Sequence, residues 1–456
     1  MHKNNAQFFF SLFFVQLFPQ PRFFLDGGCL SVDSLLMSAI AKSAAGTAAD
    51  LETEVLVLGG GMVGMTLANA LAGAGVATVV VDSAPPDSLL EAGYDGRASA
   101  IAHGSAQVFR GIGLWPFVEA DAGPIVDIRV ADGTVAGGPS TLFLHYDHRA
   151  VGDQPFGYMI ENRVIRRALF EQAAMLPSLR RLAPARVATL VREAAGAEAV
   201  LEDGRRIRSR LVVGAEGRNS PSRADAGIAV TRLPYNQTAI VCTVRHECDH
   251  GGVAVEYFLP SGPFAMLPMT DRRMNIVWTE RPDLAVRFMA LDDAAFLDEL
   301  RRRFGDWLGD TALIGPRFSY PLELQHAARY TDRRLALVGD AAHAIHPIAG
   351  QGLNLGLRDV AALAEAVIDT RRLGLDIGGS DVLRRYERWR RFDSVLLTSV
   401  TDVLNRLFSN DLAPLRLARD LGLAAVDSLP PLKRFFMRHA MGVVGDLPRL
   451  VRGETL

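Results

Sequence analysis

Short apolar runs on either side of a helical pattern mark the start of the recognisable fold. Residues 54–58 (EVLVL) and 76–82 (VATVVVD) are continuous apolar runs of the length found in strands buried within a parallel sheet. Between them, apolar residues recur at the three- and four-residue spacing of an amphipathic helix. The pattern therefore predicts a strand–helix–strand unit over residues 53–83.

The pattern changes twice further along the chain. Residues 161–174 predict a helix, and residues 206–217 predict a buried strand that ends in a turn. Residues 238–280 hold short β-rich segments with turn signals and no helical pattern between them, which predicts an antiparallel sheet in a second domain. An apolar run typical of a buried parallel strand occurs again at residues 334–340, and a helix is expected over residues 353–368.

The C-terminal region is expected to be helical. One apolar face recurs there at helical spacing, formed by Trp389, Phe392, Leu396, Val400, Val403 and Leu407. This order of elements predicts an α/β fold, with a Rossmann-like dinucleotide-binding domain, an inserted antiparallel-sheet substrate domain and a C-terminal helical region. The expected domains are 51–125, 155–232 and 320–372 for the discontinuous dinucleotide-binding domain, 126–154 and 233–319 for the substrate domain, and 373–456 for the helical region.

Composition and charge exclude several classes of protein. Of the 456 residues, 49% are hydrophobic and 22% are charged, as in ordinary soluble globular proteins. A nucleic-acid-binding protein would carry a strong basic excess, whereas the net charge here is -2, so no nucleic-acid partner is expected. Cys29, Cys242 and Cys248 form no CxxC pair and no zinc spacing, so neither a disulfide scaffold nor a zinc site is expected.

The first 50 residues stand apart from this fold. Residues 8–18 form an apolar run that is too short to span a bilayer, which takes about 20 residues. Lys3 is the one lysine or arginine that precedes the run, and no close cleavage signal follows it. We expect residues 1–50 to be a disordered or misassigned extension, with Met37 as the natural start. A targeting segment is the alternative.

A glycine motif lies between the first predicted strand and its helix. Gly59, Gly61 and Gly64 fit G-x-G-x-x-G, in which the glycines allow a tight turn, a close approach to a pyrophosphate and close helix packing. The helix N-terminus offers free N–H groups to phosphates, and Asp82 ends the second strand, where a carboxylate can accept hydrogen bonds from a ribose. The motif does not choose between NAD and FAD. The cofactor-binding residues predicted from this unit are Gly59, Gly61, Met62, Val63, Gly64 and Asp82.

Residues 334–356 (RLALVGDAAHAIHPIAGQGLNLG) resemble the second flavin-binding motif of FAD monooxygenases of the para-hydroxybenzoate hydroxylase type. The matching residues are Gly339, Asp340, Ala341, Ala342, His343, Pro347, Gly350, Gln351, Gly352 and Asn354. The resemblance implies that the cofactor is FAD, that the dinucleotide-binding domain is an FAD-binding domain, and that the helix after the motif points its positive end at the flavin ring. It places Gly339, Asp340, Gly352, Leu353 and Asn354 on the cofactor, and Pro347, Gly350, Gln351 and Gly352 on the catalytic, oxygen-reacting face.

The two histidines of this stretch raise the question of a metal site. His343 and His346 lie three residues apart, a spacing that a helix could use to bind a metal ion. Pro347 and Gly350 interrupt any such helix, and no third ligand has a recognisable spacing. We therefore expect no metal site, and we expect His343 to be hydrogen-bonded within the turn.

Residues 211–223 (LVVGAEGRNSPSR) resemble the Asp-Gly stretch that lies between the other two motifs in this family. Glu216 stands where the aspartate is usual, and its extra methylene shifts the carboxylate by about an ångström. The resemblance implies cofactor contacts from Glu216 and Gly217, from Arg97 at the pyrophosphate or flavin edge, and from Arg163 near the adenosine.

Four further segments resemble the ubiquinone-biosynthesis branch of these hydroxylases. They are residues 95–102 (DGRASAIA), 258–268 (FLPSGPFAMLP), 386–393 (YERWRRFD) and 446–454 (DLPRLVRGE). The resemblance implies that NAD(P)H reduces FAD and that a flavin C4a-hydroperoxide transfers oxygen to the ring of a polyprenylated phenol or quinone precursor. It also implies a cytoplasmic protein with peripheral contact at the inner membrane, and other quinone-biosynthesis enzymes as partners.

Two expectations concern the substrate. Residues Phe258, Phe264, Met266 and Leu267 are candidates to line its pocket, with packing in the core of the second domain as an equal alternative. Residues 430–445 mix basic and aromatic side chains, which fits a membrane-docking helix. A helix buried against the FAD domain is the favoured interpretation, since packed amphipathic helices are common.

Other functions stay open at this point. A soluble aromatic substrate, a flavin reductase of isoprenoid double bonds or a halogenase would suit the same fold, although the Trp-x-Trp-x-Ile motif of halogenases is absent. A non-catalytic flavoprotein subunit of a quinone-synthesis complex is the non-enzymatic alternative, which Glu216 leaves open.

Overall fold

The structure, a computed structural model, describes residues 51–85, 96–134, 138–346, 350–408, 422 and 426–456. The expected N-terminal extension, with its apolar run and Met37, lies outside the described residues. The strands are β1 Leu51–Glu52, β2 Val55–Leu58, β3 Thr78–Val81, β4 Ala98–Ala102, β5 Gly123–Ile125, β6 Asp127–Thr134, β7 Gly138–Asp147, β8 Gly157–Glu161, β9 Leu179–Leu182, β10 Val187–Arg192, β11 Ala197–Leu201, β12 Arg206–Ser209, β13 Leu211–Gly214, β14 Val230–His246, β15 Val253–Leu259, β16 Gly262–Met269, β17 Arg273–Glu280, β18 Thr311–Ala327, β19 Thr331–Asp332, β20 Leu335–Leu337 and β21 His343–Ala344. The α-helices are α1 Met62–Gly73, α2 His103–Gly111, α3 Asn162–Ala174, α4 Pro221–Asp225, α5 Pro282–Met289, α6 Asp293–Phe304, α7 Gln351–Arg372, α8 Ser380–Phe408 and α9 Pro430–Ala440.

The central sheet is parallel and buried, as the apolar runs predict. Its strand order is β19–β20–β13–β2–β3–β9, and every neighbouring pair except β19 with β20 is parallel. All residues of β2, β3 and β13 are buried, and β2, α1 and β3 form the predicted strand–helix–strand unit. Because parallel strands end at the same edge of a sheet, the three motifs that follow β2, β13 and β20 come together there.

A second sheet covers that edge. Its strand order is β21–β18–β14–β17–β16–β15–β6–β7, with antiparallel pairing throughout except between β15 and β6. This confirms the antiparallel sheet predicted from residues 238–280. Side chains alternate along β16, so Phe264 and Met266 pack in a core with Phe296 of α6, whereas Ala265 and Leu267 face the other way.

Two smaller sheets complete the fold. One has the order β4–β8–β5 and the other β1–β12–β11–β10. The sequence pattern did not identify the second, whose strands alternate small, charged and apolar residues over residues 187–209. Its strand β12 pairs in parallel with the short β1 at the start of the described chain.

The helices after the central sheet differ from expectation in three ways. Helix α7 is longer than residues 353–368 at both ends. Of the apolar face predicted for α8, Phe392, Leu396 and Leu407 are exposed, with Phe392 at 76% exposure, whereas Trp389 is partly buried against the core. The side chains of Val400 and Val403 lie outside the described residues, and α8 packs through Val382, Leu383 and Tyr386. The last residues after α9 form no α-helix but a 3-10 turn, Arg449–Arg452.

Candidate active site

The glycine turn after β2 is built around backbone contacts that exclude side chains. Gly59 has a φ of +103°, and a Cβ there would clash with the carbonyl oxygen of Ala215. A Cβ at Gly64 would clash with the carbonyl oxygen of Gly59, so the third glycine lets α1 pack against the turn. Gly59 and Gly64 therefore shape the turn, and Gly61, Met62 and Val63 face the cavity beside it.

Asp82 stands at the end of β3, directly beside this turn. Its Oδ2 accepts a hydrogen bond from the backbone N–H of Gly60, and its Oδ1 accepts one from Ala84 N at 2.7 Å. The carboxylate also lines the cavity, and a carboxylate accepts more than two hydrogen bonds. Its position therefore suits a sugar hydroxyl, and the contact with the cofactor stays a prediction.

The turn after β20 brings a second carboxylate to the cavity. Gly339 has a φ of +58° and starts a 3-10 turn, Gly339–Ala341, that presents Asp340 at the cavity wall. The Asp340 carboxylate is about half exposed and lies 3.4 Å from the guanidinium of Arg218, which lines the same cavity. Asp340 can accept hydrogen bonds from a bound polyol chain, whereas Gly339 acts through the shape of the turn.

The start of α7 closes one side of the cavity. Gly350, with a φ of +63°, is the N-cap of α7, and Gly350, Gly352 and Leu353 line the cavity. Helix α7 has no side-chain cap there, and the positive end of its dipole suits an anionic or polar ligand. Gln351 lines a different cleft, and the predicted catalytic Pro347 lies outside the described residues.

Asn354 is buried away from the cavity and holds α7 against β4. Its Oδ1 accepts from Ala102 N at 2.9 Å, and its Nδ2 donates to Ala100 O at 2.8 Å and to Gly350 O at 2.9 Å. Both polar atoms of the amide are therefore hydrogen-bonded within the protein. Asn354 therefore fixes the glycine turn in place, and a direct contact with the cofactor stays a prediction that its hydrogen bonds do not favour.

Arginines approach the cavity from the β4 side. Arg97 lines it, with its guanidinium 5.5 Å from the ring centroid of Phe318. Arg163 instead pairs with the buried Glu161 at 2.5 Å and is not among the lining residues. Arg166, one turn after Asn162 on α3, lines the cavity together with that asparagine.

The sequence analysis did not identify Arg166 as a residue that lines the cavity. The signal that could have found it is the four-residue spacing from Asn162 to Arg166, which places both side chains on one helix face. Ser99 of β4 completes this side of the cavity, donating to Asn162 Oδ1 at 2.7 Å. Arg163 lies on a neighbouring face of α3. Its predicted contact near the adenosine stays untested.

The Glu216 side chain forms hydrogen bonds with the residues that follow it in the chain. Its carboxylate accepts hydrogen bonds from the hydroxyls of Ser220 and Ser222 and from Ser222 N at 3.3 Å, at the start of α4. Burial raises the pKa of the Glu216 carboxyl, although these hydrogen bonds act to lower it. Gly217 and Arg218 line the cavity, whereas Glu216 does not, so its predicted cofactor contact stays a prediction.

Both histidines of the second motif are buried, and His343 stabilises the turn. His343 lies against Asp359 of α7, and the same carboxylate accepts from Gly339 N at 3.0 Å. Burial lowers the pKa of His346 to about 4, which keeps this imidazole neutral. Within the described residues, no group of three or more histidine, cysteine or acidic side chains is arranged to hold a metal ion.

The second sheet supplies the opposite wall of the cavity. Its side chains there are mostly apolar, with one buried amide and two further polar groups among them: Val241, Ala265, Leu267, Val277, Asn275, Glu256 and Tyr320. Of the four residues expected to line a substrate pocket, Leu267 does so. Phe264 and Met266 pack on the far face of the sheet and Phe258 in another core, because alternate residues of a strand face opposite sides.

Three glycines leave space in the cavity that fits FAD. It has a volume of about 570 Å³, and Gly61, Gly217 and Gly352 line it from three separate motifs. Apart from adjacent backbone, no atom of the described residues lies within 4 Å of the position that a Cβ would take at any of the three. The backbone therefore leaves a cradle that side chains would fill, which is what close approach of a pyrophosphate and a flat ring requires.

Comparisons with known proteins agree with this fit. A family model described as an FAD binding domain matches residues 52–392. The ubiquinone hydroxylase UbiL of Rhodospirillum rubrum is 54% identical over 411 residues, covering 90% of this chain and 94% of that protein. The 3-demethoxyubiquinol 3-hydroxylase of Escherichia coli is 35% identical over 393 residues, covering 86% of this chain and 99% of that protein.

Solved structures show the same fold. The crystal structure of p-nitrophenol 4-monooxygenase PnpA from Pseudomonas putida matches with a TM-score of 0.70 at 21% identity, covering 86% of this chain and 98% of that one. The chain therefore belongs to the FAD-dependent aromatic monooxygenases, in the branch that includes the ubiquinone hydroxylases.

Proposed function

We propose that this chain hydroxylates the aromatic ring of a polyprenylated phenol in ubiquinone biosynthesis, with FAD as cofactor and NAD(P)H and O2 as co-substrates. One observation carries the proposal. The glycine cradle at the ends of β2, β13 and β20 shares a single cavity with the apolar inner wall of the second sheet. A flat cofactor and an apolar aromatic ring can therefore lie against each other in the same space.

Bound FAD would supply the redox chemistry of the reaction, with NAD(P)H as the reductant and O2 as the source of the oxygen atom. The chain's own residues bind and orient the two partners. Asp82 and Asp340 accept hydrogen bonds from cofactor hydroxyls, and the positive ends of the α1 and α7 dipoles stabilise negative charge. The apolar sheet wall holds the ring and excludes water.

The catalytic face of this site is made of backbone. We assign Pro347, Gly350, Gln351 and Gly352 to the oxygen-reacting side, where small residues leave space beside the flat ring. Gly350 and Gly352 line the cavity, which supports this assignment for both. Gln351 contributes through its backbone position at the start of α7, since its side chain lines the neighbouring cleft.

A non-catalytic subunit is the competing function, and the case for it rests on Glu216. Glu216 does not disrupt the lining of the cavity, because its carboxylate caps the start of α4 while Gly217 and Arg218 reach the cavity. A soluble aromatic substrate would use the same cavity. The apolar surface next to the C-terminal helices favours a substrate with a membrane-embedded tail instead.

That surface is formed by α8 and by α9 with the residue before it. Among the described residues, seventeen large apolar side chains are exposed, and eight of them lie here: Phe392, Val395, Leu396, Leu407, Leu429, Leu432, Phe435 and Phe436. We call these eight residues the apolar surface. The favoured expectation of a buried α9 is wrong, since Met437 is the residue of α9 that is buried.

The two helices present the apolar surface side by side. Phe392, Leu396 and His439 line one cleft of about 900 Å³, and the ring of His439 lies 4.1 Å from that of Phe435. Four exposed arginines accompany it, and none of them forms an ion pair with another described residue: Arg388, Arg391, Arg434 and Arg438.

Apolar and basic side chains on one face suit the surface of an anionic membrane. Within the described part of the chain, no helix is long and apolar enough to cross a membrane. We therefore propose a cytoplasmic protein with peripheral contact at the inner membrane. Contact with other quinone-biosynthesis enzymes remains part of the proposal.

Lipid mass spectrometry tests the function in the organism that encodes this chain. Deletion of the gene is expected to lower ubiquinone and to accumulate a prenylated phenol that lacks one ring oxygen. Restoring the wild-type gene should reverse both changes, and restoring a Gly352→Val variant, whose side chain would enter the cofactor cradle, should not. Unchanged ubiquinone in a strain with no second copy of the gene would contradict the proposed substrate.

A further inference from the structure

A cleft of about 900 Å³ lies between α8 and the chain that follows α9. One wall is α8 and the other includes residues 444–448, and the cleft shares no lining residue with the cofactor cavity. Trp389 Nε1 donates to Asp446 O at 2.6 Å, which joins the two walls. The cleft is therefore a separate feature of the fold, and the proposed reaction leaves it without a role.

Arginines outnumber acidic residues in the lining of this cleft. It contains five arginines and three acids: Arg358, Arg385, Arg388, Arg390 and Arg452, with Glu365, Asp393 and Asp446. A single carboxylate, Asp393, lies 2.9 Å from Arg358 and 2.6 Å from Arg390. Arg385 and Arg452 each have an acidic partner as well. The fifth arginine is the one whose charge needs a different partner.

Arg388 is exposed and forms no ion pair with another described residue. The remaining acid of the cleft, Asp446, acts on Arg452, since Glu454 and, with a smaller effect, Asp446 raise the pKa of that arginine. The Arg388 guanidinium is thus available to a ligand. A guanidinium binds phosphate groups well, because its planar array of donors matches two phosphate oxygens at once.

The same face of α8 becomes apolar one turn further along the helix. Arg385, Arg388, Phe392 and Leu396 follow one another at three- and four-residue spacing, and all four line the cleft. Phe392 and Leu396 belong to the apolar surface and are 76% and 48% exposed. At 1.5 Å per residue, Leu396 lies about 12 Å along the helix from Arg388. A basic part and an apolar part therefore follow one another, as do the headgroup and the acyl chains of a phospholipid.

We propose that the cleft binds an anionic phospholipid of the membrane, with Arg388 on its phosphate and with Phe392 and Leu396 against its acyl chains. The inference rests on the membrane contact in the proposed function and deepens it, because it names the lipid chemistry that this contact recognises. A soluble phosphate compound would pair with Arg388 but would leave both apolar side chains in water, which favours the lipid. An apolar surface alone adsorbs to lipid without regard to the headgroup, whereas a basic cleft selects for it.

Binding of single lipid molecules distinguishes the cleft from general adsorption to a membrane. The probe is phosphatidylglycerol with short acyl chains, added to the FAD-loaded protein below the concentration at which this lipid forms micelles, and the readout is calorimetric titration. The wild-type protein should bind it about tenfold more tightly than phosphatidylcholine of the same chain length. Arg388→Gln should weaken phosphatidylglycerol binding about tenfold and so remove the preference.

Arg391→Gln is the matched control, because it removes the same charge from an exposed position of α8 that does not line the cleft. It should leave the binding of the single lipid unchanged. Both variants should lose a similar part of the long-range attraction to anionic vesicles. Phe392→Ser should weaken both short-chain lipids to the same extent, since it removes an acyl-chain contact and leaves the headgroup site in place.

Equal effects of Arg388→Gln and Arg391→Gln on the single lipid would overturn the inference. Displacement of the lipid by NADPH or inorganic phosphate at similar affinity would also overturn it, because the cleft would then belong to a soluble phosphate compound. If the wild-type protein binds anionic vesicles but no single lipid, the cleft is wrong and the membrane contact stands. If it binds neither, both are wrong, and the reaction itself is tested separately by the gene deletion.

Discussion

His343 Nε2 lies 2.6 Å from Asp359 Oδ2, and both side chains are almost completely buried. The same carboxylate accepts from Gly339 N at 3.0 Å and from Arg390 Nε at 2.8 Å. The histidine motif therefore holds the flavin-binding turn to α7, and Arg390 extends the network to α8. Burial acts to raise the pKa of Asp359, but the charges of His343 and Arg390 outweigh it and hold this pKa below its usual value.

Asp359→Asn should destabilise the fold and loosen the Gly339 turn. Removing one partner of a buried charge pair leaves Arg390 partly uncompensated, which costs about 3–5 kcal/mol in unfolding free energy. Denaturant unfolding and FAD titration measure the two effects. Asp381→Asn, at an exposed helix position, is the control and should change neither. An Asp359→Asn protein with wild-type stability and FAD affinity would contradict the positioning role.

Two glycines of one motif should respond differently to alanine. Gly59→Ala requires a φ near +103° and a clash with Ala215 O, so it should destabilise the fold by about 2 kcal/mol or more. Gly61 has a φ of -69° and open space at its Cβ position, so Gly61→Ala should fold normally. Its Cβ would enter the cofactor cradle and weaken FAD binding about tenfold. Thermal unfolding without FAD and flavin fluorescence titration distinguish the two outcomes, and equal effects of both variants on folding would count against the cradle.

Glu216→Gln should remove a pH-dependent loss of stability. The raised pKa of this carboxyl means that the folded state binds its proton more tightly than the unfolded state, whose value is near 4.5. The wild-type contribution to stability therefore falls as pH rises from about 4.5 to the folded pKa. Unfolding free energies over this range should show the fall in wild type and in an exposed Glu202→Gln control, but a weaker fall in Glu216→Gln. Identical profiles for all three proteins would contradict the burial of Glu216.

Replacing aromatic residues of the apolar surface should reduce membrane binding. Phe392 and Phe435 are 76% and 51% exposed, so Phe392→Ser with Phe435→Ser should leave the fold intact. Sedimentation with vesicles that contain anionic lipid should show binding reduced about tenfold, and added salt should weaken the wild-type interaction. The matched control is Leu373→Ser with Val286→Ser, at positions 73% and 71% exposed on other parts of the chain. Equal binding by both double variants would show that the apolar surface is not the contact.

The backbone motifs were predictable because their chemistry is local. The turns at Gly59 and Gly339 depend on positive φ values that glycine allows, and the apolar runs before them form strands of one sheet. The sequence therefore predicted the cofactor cradle and the fold around it. The choice of side chains was less predictable, since Arg163 and Arg166 differ only by the helix face from which they start.

The remaining differences come from tertiary packing. Asn354 matches the family motif, but its amide is fully used between α7 and β4, which no local pattern reveals. The apolar face of α8 looked like a core face, because periodicity shows that a face is apolar and not what covers it.

Product analysis with labelled oxygen tests the proposed ring hydroxylation most directly. Purified protein loaded with FAD is supplied with NADPH, 18O2 and a phenol that carries a short prenyl tail. We expect a product with one 18O atom on the ring, formed in proportion to NADPH oxidation, and no product from a Gly352→Val variant that retains its fold. NADPH oxidation that yields only hydrogen peroxide, or a product without 18O, would contradict the assignment of this chain as a ring hydroxylase of prenylated phenols.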